Sequence, residues 1–314
     1  MPISWYPGHM YKANKEMQQL IRQIDVVIEV LDARMPAASA NPLLARMRQD
    51  KPCLHILNKA DLADAEATRE WLEWFNSKPG NRAIATDHDS ELNADLIIGI
   101  CEQLLKTGAA DPQAEPEADV DADAKDTQAR PGTRKRQIMI TGIPNVGKST
   151  VMNRILGRKI AKTGNEPAVT KGQQRIRLGE HWYLHDTPGV LWPKLEDQDA
   201  AYRLACAGAI RNTAMEYEDV AFFAAEWLLA DYPQQLRERY QLDELPDTAE
   251  ALLELIAARR GCLRKNGQPD WHKVSERLLQ DYRSGQLGRM TLERPPAADR
   301  PDEAAEQAQA ADSQ

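Results

Sequence analysis

Nine residues near the middle of the chain have the spacing of a phosphate-binding loop. They read GIPNVGKST, from Gly142 to Thr150, and match G-x-x-x-x-G-K-[ST]. In such a loop, backbone N–H groups and the N-terminus of the following helix face a phosphate. We expect Lys148 to reach the β- and γ-phosphates and act in catalysis, and Ser149 to offer its hydroxyl to Mg²⁺. The predicted nucleotide contacts in this loop are Asn145, Val146, Gly147, Lys148, Ser149 and Thr150.

The surroundings of this loop favour the same interpretation. An apolar run, QIMIT, precedes it, and an amphipathic run, STVMNRIL, follows it. The motif requires this order of strand, loop and helix. An ordinary turn between a strand and a helix is the alternative. Ordinary residue usage gives a chance match in roughly one chain in a hundred of this size, which disfavours that alternative.

Two further segments have the chemistry of nucleotide switches. DTPG, Asp186 to Gly189, follows the strand-like run HWYLH. An Asp at a strand end can hold Mg²⁺ through water, and the Gly N–H can bond to the γ-phosphate. D-x-x-G alone is weak, because Asp and Gly are common in turns. Between the two motifs lies EPAVTKGQQ, where Thr170 is the candidate that closes over Mg²⁺; a solvated loop threonine is the alternative.

The tetrapeptide NKAD has the chemistry of guanine recognition. It follows the apolar run CLHIL and comprises Asn58, Lys59, Ala60 and Asp61. The Asp61 carboxylate can accept hydrogen bonds from N1–H and the 2-amino group of guanine, and adenine offers neither donor there. We expect Asn58 to brace the loop and the Lys59 stem to cover one face of the base. The three motifs together predict GTP and disfavour an ATP-using kinase.

The motifs occur in an unusual order along the chain. N-K-x-D conventionally comes last, whereas here it precedes the phosphate loop, the threonine and D-x-x-G. Loops at the carboxyl ends of strands build the ligand site of a doubly wound sheet, whatever the chain order. The acidic stretch 108–129 has the composition of a flexible tether that joins old termini. The sequence therefore predicts a circularly permuted GTPase domain.

The apolar pattern predicts an α/β domain followed by a small all-helical one. Four short β-branched runs, at 26–31, 53–57, 138–142 and 182–185, predict strands of a mostly parallel, doubly wound sheet. Apolar residues at helical spacing predict a helix through Met17 to Ile24. From about Ala200 onward only helical patterns remain, and these lie at 219–233, 247–261 and 270–285. Asp247 is the predicted N-cap of the second of these, and Gly261 its stop.

The composition is that of an ordinary globular protein. The 314 residues are 42% hydrophobic and 28% charged, and the longest apolar runs are too short to span a membrane. MPISWYPGHM lacks the basic and apolar regions of a secretory signal. The four cysteines have no disulfide-like or metal-like spacing, which fits a reducing cytoplasm. The net charge of -8 does not favour a general nucleic-acid binder.

Taken together, these motifs resemble the YlqF family of circularly permuted GTPases. The resemblance covers nearly the whole chain apart from the acidic tether and tail. It rests on WYPGHM, DAR-P (Asp32 to Arg34, then Pro36), NKAD, GIPNVGKST, DTPGVLWPK and RRGCL. It implies a GTP hydrolase that assembles the large ribosomal subunit, binding the precursor particle with GTP and leaving after hydrolysis. The implied partners are ribosomal RNA and ribosomal proteins, and we expect a cytoplasmic monomer without a membrane span.

The resemblance also implies a division of the chain. Residues 1–210 would form the GTPase domain, with the tether at about 108–136. Residues 211–294 would form a helical domain that contacts the ribosome, and residues 295–314 a disordered tail. In the helical part, twelve Lys and Arg face fifteen Asp and Glu, so it has no overall basic field. Four basic residues nevertheless cluster there: Arg259, Arg260, Arg264 and Lys265. They either contact phosphates or form a solvated helix end, and YKANKEMQQLIR is a second mildly basic patch.

Two mechanistic expectations follow from the resemblance. No glutamine follows Gly189, and the apolar residues VLW cannot align water. The family places a histidine of W-x-P-G-H-M in that role, which corresponds to His9; a structural histidine in a terminal turn is the alternative. Similar potassium-stimulated GTPases use an asparagine at the position of Asn145 as a ligand for a monovalent cation. The expected cofactors are therefore Mg²⁺ and K⁺, with Ser149, Thr170, Asp186 and Asn145 as metal ligands.

The chain also departs from the family pattern. Ala168 stands where the family commonly has Gly, and no guanine-backing motif is recognisable in AIATDHDS. By position, Asp87 and His88 should supply that contact. The alternative function is a GTP-dependent protein-interaction switch that acts through the helical domain without binding RNA.

Overall fold

The structure, a computed structural model, describes residues 6–107, 135–159, 174–193, 195–210 and 215–296. The expected switch threonine, Thr170, lies outside the described residues, as do 108–134 of the tether and 297–314 of the tail. Arg136, the last residue of the predicted tether, instead begins a strand. Its N–H donates to the carbonyl of His181, so the tether prediction runs too far at this end.

Six strands form one sheet in the described part of the chain. Its order is β3-β2-β1-β4-β6-β5, and each neighbouring pair is parallel except β5 with β6. The strands are β1 (Val26–Asp32), β2 (Cys53–Asn58), β3 (Asn81–Thr86), β4 (Arg136–Gly142), β5 (Gln174–Leu178) and β6 (Trp182–Asp186). The prediction of a mostly parallel, doubly wound sheet is confirmed.

The four predicted strands are the four central ones, β1, β2, β4 and β6. Every residue of β1 and β2 is buried, because helices cover both faces of a parallel sheet. The edge strands β3 and β5 are only partly buried. Their sequences, NRAIAT and QRIRL, therefore mix polar and apolar residues more evenly than the mostly apolar β1 and β2 do.

The sheet has the connectivity of a permuted domain. β1 and β4 pair in parallel, with Val26 opposite Ile138 and Val30 opposite Gly142. Read from β4, the chain gives β4, β5 and β6, and the series then continues with β1, β2 and β3 on the other side of β4. The phosphate loop and NKAD thus follow strands separated only by β1, and all three motif-bearing strands end at one edge of the sheet.

Eleven α-helices occur within the described ranges. They are α1 (Gly8–Leu20), α2 (Pro36–Ser39), α3 (Pro42–Arg48), α4 (Ala65–Asn76), α5 (Ala94–Thr107), α6 (Lys148–Ile155), α7 (Gln198–Cys206), α8 (Tyr217–Asp231), α9 (Pro233–Tyr240), α10 (Ala249–Arg260) and α11 (Trp271–Arg283). In this part of the chain, none combines the length and apolar character that crossing a membrane would need.

The boundaries of α1 and α10 differ from the predictions. α1 ends at Leu20, and a 3₁₀ turn, Ile21–Gln23, completes the apolar face that the pattern extended to Ile24. The N-cap of α10 is Thr248 rather than Asp247, because the Thr248 hydroxyl accepts the N–H of Ala251 at 3.3 Å. The predicted stop is confirmed: Gly261 ends α10 with a φ of 68°, a conformation that glycine adopts without strain.

One apolar core joins the sheet to the C-terminal helices. It includes Ile28 and Ile140 of the sheet as well as Leu228, Leu252 and Leu278 of α8, α10 and α11. α7 lies between the two parts and packs on α2, α8 and α11. The helical segment is therefore built against the sheet, close enough to contact the loops at its edge.

Candidate functional site

The phosphate loop runs from the end of β4 into α6 and needs glycine at two positions. A Cβ on Gly142 would lie 2.7 Å from the carbonyl oxygen of Val30. Gly147 has a φ of 94°, and a Cβ there would collide with the Asn58 amide. Both are close approaches that only glycine allows. The loop thus has the tight backbone path that a phosphate requires, and α6 begins directly behind it at Lys148.

Lys148 and Asp186 form a buried ion pair at the centre of this site. Asp186 ends β6, and the side chains are 6% and 2% exposed. Ser149 is half-buried and Thr150 exposed in the first turn of α6. The hydroxyl of Ser149 and the carboxylate of Asp186 are hard oxygen donors of the kind that Mg²⁺ prefers. These residues therefore fit a Mg²⁺–phosphate site.

The DTPG segment lies directly against the phosphate loop. The Thr187 hydroxyl donates to the carbonyl of Ile140 at 2.9 Å. A Cβ on Gly189 would lie 3.3 Å from the backbone of Pro144, and the N–H of Val190 donates to the carbonyl of Gly142. The two motifs are therefore brought together, as the sequence predicts.

NKAD is hydrogen-bonded to the same loop from the other side. The Asn58 amide donates to the carbonyl of Val146 at 2.8 Å, and the Lys59 ammonium donates to the carbonyl of Asn145 at 2.9 Å. Lys59 has a φ of 63°, which turns the chain into a 3₁₀ turn, Ala60–Leu62. Asp61 lies in this turn and is exposed. Asn58 thus braces the loop as expected, while the Lys59 ammonium is engaged by protein oxygens.

Asp32 is the last residue of β1, and its carboxylate holds the side chain of Lys59 in the NKAD loop. One of its oxygens accepts the Lys59 ammonium at 2.8 Å, and both accept the Arg34 guanidinium at 2.9 Å. Burial alone would raise the pKa of the Asp32 carboxyl, but the charges of Arg34 and Lys59 outweigh burial and hold it well below its ordinary value. In the sequence, Asp32 stands out only as part of the DAR-P motif.

The loop after β3 carries Asp87 and His88, the residues that the sequence predicts behind the guanine base. Arg154 of α6 donates to the Thr86 hydroxyl at 3.3 Å and to the carbonyl of Asp87. The Asp87 carboxylate accepts hydrogen bonds within its own loop, from Ser90 and the N–H of Asp89. The Ser90 hydrogen bond lowers the pKa of Asp87. His88 is 92% exposed. Asp87 therefore shapes the loop, and the sequence pattern missed Arg154, which ties it to α6.

His9 lies in a helix rather than in a free turn. It is the second residue of α1, which begins at Gly8, and its side chain is exposed. Asn14, one and a half turns further on, donates to the carbonyl of Leu191 at 3.2 Å and to the Tyr6 hydroxyl at 2.6 Å. The helix that carries His9 is thus fastened to the segment after DTPG. Thr170 is outside the described residues, so the structure does not place it.

Asn145 has a backbone conformation that is unusual for a residue other than glycine. Its φ is 59°, and its side-chain amide donates to the carbonyl of Gly208, just beyond α7, at 2.8 Å. The phosphate loop therefore contacts both NKAD, through the backbone of Asn145, and the start of the helical segment, through its side chain.

Fold and site together define a circularly permuted P-loop GTPase. A family described as "50S ribosome-binding GTPase" matches residues 137–252. The chain is 41% identical to ribosome biogenesis GTPase A of Bacillus cereus over 94% of this chain and 95% of that one. It is 30% identical to mitochondrial ribosome-associated GTPase 1 of Mus musculus over 92% and 90%. The chain belongs to the ribosome biogenesis GTPase A (YlqF) family and hydrolyses GTP.

Solved structures agree with this placement. GNP-bound YlqF from T. maritima superimposes with a TM-score of 0.59 at 25% identity, covering 90% of this chain and 98% of that one. The GDP-bound form gives a TM-score of 0.60 at 25% identity, covering 89% and 99%. The permuted fold that the motif order predicts is thereby confirmed.

Proposed function

We propose that this GTPase assembles the large ribosomal subunit, binding the precursor particle in the GTP state and leaving after hydrolysis. The observation that carries the proposal is the hydrogen bonding of Asn58 and Lys59 to the phosphate loop. These bonds join the NKAD loop, the proposed base site, to the loop that binds the phosphates. Both loops would therefore contact the same bound nucleotide. The names of the relatives refer to the ribosome, and they are the reason for proposing ribosome assembly as the process.

Each part of GTP has its own residues in this proposal. Asp61 reads guanine, and Asp87 and His88 lie behind the base. Loop N–H groups and Lys148 bind the phosphates. Ser149 and Asp186 hold Mg²⁺, with Thr170 joining them, and the N–H of Gly189 meets the γ-phosphate. When bound, Mg²⁺ neutralises charge that develops on the phosphate oxygens.

His9 is the proposed residue that orients the attacking water. Val190 and Leu191 are buried and apolar, so they have no group with which to bind water. α1 is fastened to Leu191 through Asn14, and this link supports a role for the helix in hydrolysis. The Asn145 side chain is proposed as a ligand for K⁺ in the GTP state, which requires its oxygen to face the phosphates.

The helical domain at 211–294 is the proposed ribosome-binding part. Arg259, Arg264 and Lys265 are exposed at and beyond the end of α10. Arg260 is half-buried and donates to the carbonyl of Arg239 at 2.6 Å. The exposure of these three cations lets them meet phosphates of ribosomal RNA, and Arg260 shapes the helix end that presents them.

Co-sedimentation with purified large subunits tests this proposal. We expect pelleting that needs a non-hydrolysable GTP analogue and weakens steeply with salt, because phosphate contacts release counterions. The triple variant R259A/R264A/K265A should lower binding about tenfold. The control R69A/R82A/K106A removes three exposed cations from the α/β part and should bind normally. Pelleting that ignores both nucleotide and salt would refute the proposal, and GTP-dependent binding insensitive to salt and to the triple variant would support the alternative protein-interaction switch.

A further inference from the structure

The chain that follows α11 lies along the NKAD loop. The guanidinium of Arg289 donates through Nε to the carbonyl of Asp61 at 3.1 Å, and through Nη2 to the carbonyl of Ala60 at 3.3 Å. The next residue, Met290, donates its N–H to the carbonyl of Leu62 at 3.0 Å. These three carbonyls belong to the 3₁₀ turn Ala60–Leu62, which we call the base-reading turn. Two adjacent residues of the segment after α11 therefore hold all three.

The same segment is itself firmly anchored. The Thr291 hydroxyl accepts the N–H of Asp64 at 3.1 Å. The buried Tyr232 hydroxyl donates to the carbonyl of Thr291 and accepts the N–H of Thr291. The N–H of Leu292 donates to the carbonyl of Arg34 at 2.6 Å. Residues 289–292 thus form a fixed edge against which the base-reading turn rests.

Hydrogen bonds hold the NKAD segment on two sides, and Asp61 belongs to this segment. On one side Asn58 and Lys59 bond to the phosphate loop. On the other side Arg289 spans two carbonyls, using the fork of donors that a guanidinium provides. Hydrogen bonds from a charged donor are stronger than neutral ones. A group held in its binding position loses less freedom when the ligand arrives.

We propose that Arg289 is a positioning residue for guanine recognition, which fixes the Ala60–Asp61 backbone so that the Asp61 carboxylate is presented to the base. The proposal rests on the proposed role of Asp61 as the guanine reader. It assigns part of nucleotide specificity to a residue about 230 positions away in the chain. Arg289 is exposed, so its substitution removes the brace without opening the core.

Binding of GTP and ITP by the full chain distinguishes positioning from general stability. ITP lacks the 2-amino group, so it can use only one of the two hydrogen bonds that Asp61 offers. For R289A we expect the Kd for GTP to rise about three- to tenfold and the Kd for ITP to rise less, so that discrimination between the two nucleotides falls. R289K, with fewer donors, should lie between wild type and R289A. The melting temperature should be unchanged.

R294A is the matched control, because Arg294 belongs to the same segment but pairs with Asp64 and Glu70 instead of the turn. It should keep the GTP-to-ITP ratio of the wild type. An R289A ratio equal to that of the wild type, or equal weakening of both nucleotides, overturns the proposal. The variant D61N separates the role of Asp61 as guanine reader from the role of Arg289 as its positioning residue. If D61N gains no affinity for XTP, the guanine assignment itself is wrong. If D61N does gain it while R289A keeps the wild-type ratio, only the role of Arg289 is wrong.

Discussion

The ammonium of Lys59 lies 2.8 Å from Oδ2 of Asp32, so the NKAD loop is bonded to the end of the neighbouring strand. Asp32 and Asn58 are register partners in the parallel pair β1–β2, which brings Lys59 to this carboxylate. The same carboxylate holds Arg34, whose guanidinium also donates to the carbonyl of Tyr282 in α11 at 3.3 Å. One buried charge therefore joins the NKAD loop to the C-terminal helices.

Replacing Asp32 with Asn should destabilise the protein strongly. The change leaves the cations of Arg34 and Lys59 without their shared counter-charge, and Arg34 is almost completely buried. Removing one partner of a buried ion pair typically costs about 3–5 kcal/mol. Urea unfolding should show a loss of about 3 kcal/mol, together with weaker GTP binding. D50N, at an exposed carboxylate, is the control, and a D32N loss within about 0.5 kcal/mol of that control would contradict the interpretation.

Replacing Asp61 with Asn should change the preferred base. An amide can donate to the 2-oxo group of xanthine, whereas the carboxylate accepts from the guanine 2-amino group. We expect GTP affinity to fall by about 10²-fold or more and XTP to become the better ligand, because the N1–H and 2-amino donors of guanine would then lose an acceptor in the closed complex. Competition binding measures this shift, with D95N at the start of α5 as control. Unchanged preference for GTP would mean that Asp61 does not read the base.

The sequence could predict the chemistry and the central strands because both depend on local patterns. GIPNVGKST, DTPG and NKAD are contiguous motifs, and β1 and β2 are mostly apolar runs in which every residue is buried. The order of the motifs was enough to predict the permutation. The edge strand β5 lacked such a pattern, because only alternate residues of QRIRL are buried.

The supporting contacts could not be predicted, because they join residues that are distant in the chain. Arg289 has no sequence feature that separates it from other exposed arginines, and only the fold brings it to Asp61. Arg154 reaches Asp87 across 67 positions in the same way. Asp32 was visible as part of a motif, but its role depends on the parallel register with β2.

His185 should make the stability of the protein fall in mild acid. Burial and then the nearby charge of Arg175 lower its pKa to about 4, from 6.5. The Nε2 atom of its ring lies 2.7 Å from Oε1 of Gln137. Because an amide oxygen only accepts, the neutral ring donates to it through Nε2. Between these two pKa values the unfolded chain binds a proton that the folded chain does not, so stability decreases as pH falls from about 6.5 to 4.

The size of this effect is limited because His185 is only half-buried. We expect a contribution of about 1–2 kcal/mol after solvent screening. Urea unfolding of H185Q at pH 7 and pH 4.5 should show a shallower pH dependence than the wild type by that amount. H181Q, at an exposed histidine, should keep the wild-type slope. Equal slopes for H185Q and wild type would show that this histidine is protonated freely in the folded protein.

Replacing His9 with Ala should lower GTP turnover stimulated by the large subunit while leaving GTP affinity nearly intact. His9 is exposed on the first turn of α1, so its loss should not disturb folding. Removing a group that orients the attacking water typically lowers the rate about 10²-fold or more. Loss of turnover and affinity together would instead indicate a structural role. K12A, at another exposed residue of α1, should behave like the wild type.

Asn14 provides the second half of this test, because it fastens α1 to the carbonyl of Leu191. If the placement of His9 depends on that link, N14A should lower stimulated turnover in the same direction as H9A. The double variant H9A/N14A should then be no slower than H9A alone, because residues that act as a unit are non-additive. Single-turnover rates and GTP affinities of the three variants measure this. Multiplied losses in the double variant would show that Asn14 acts independently of His9, through the packing of the segment after DTPG.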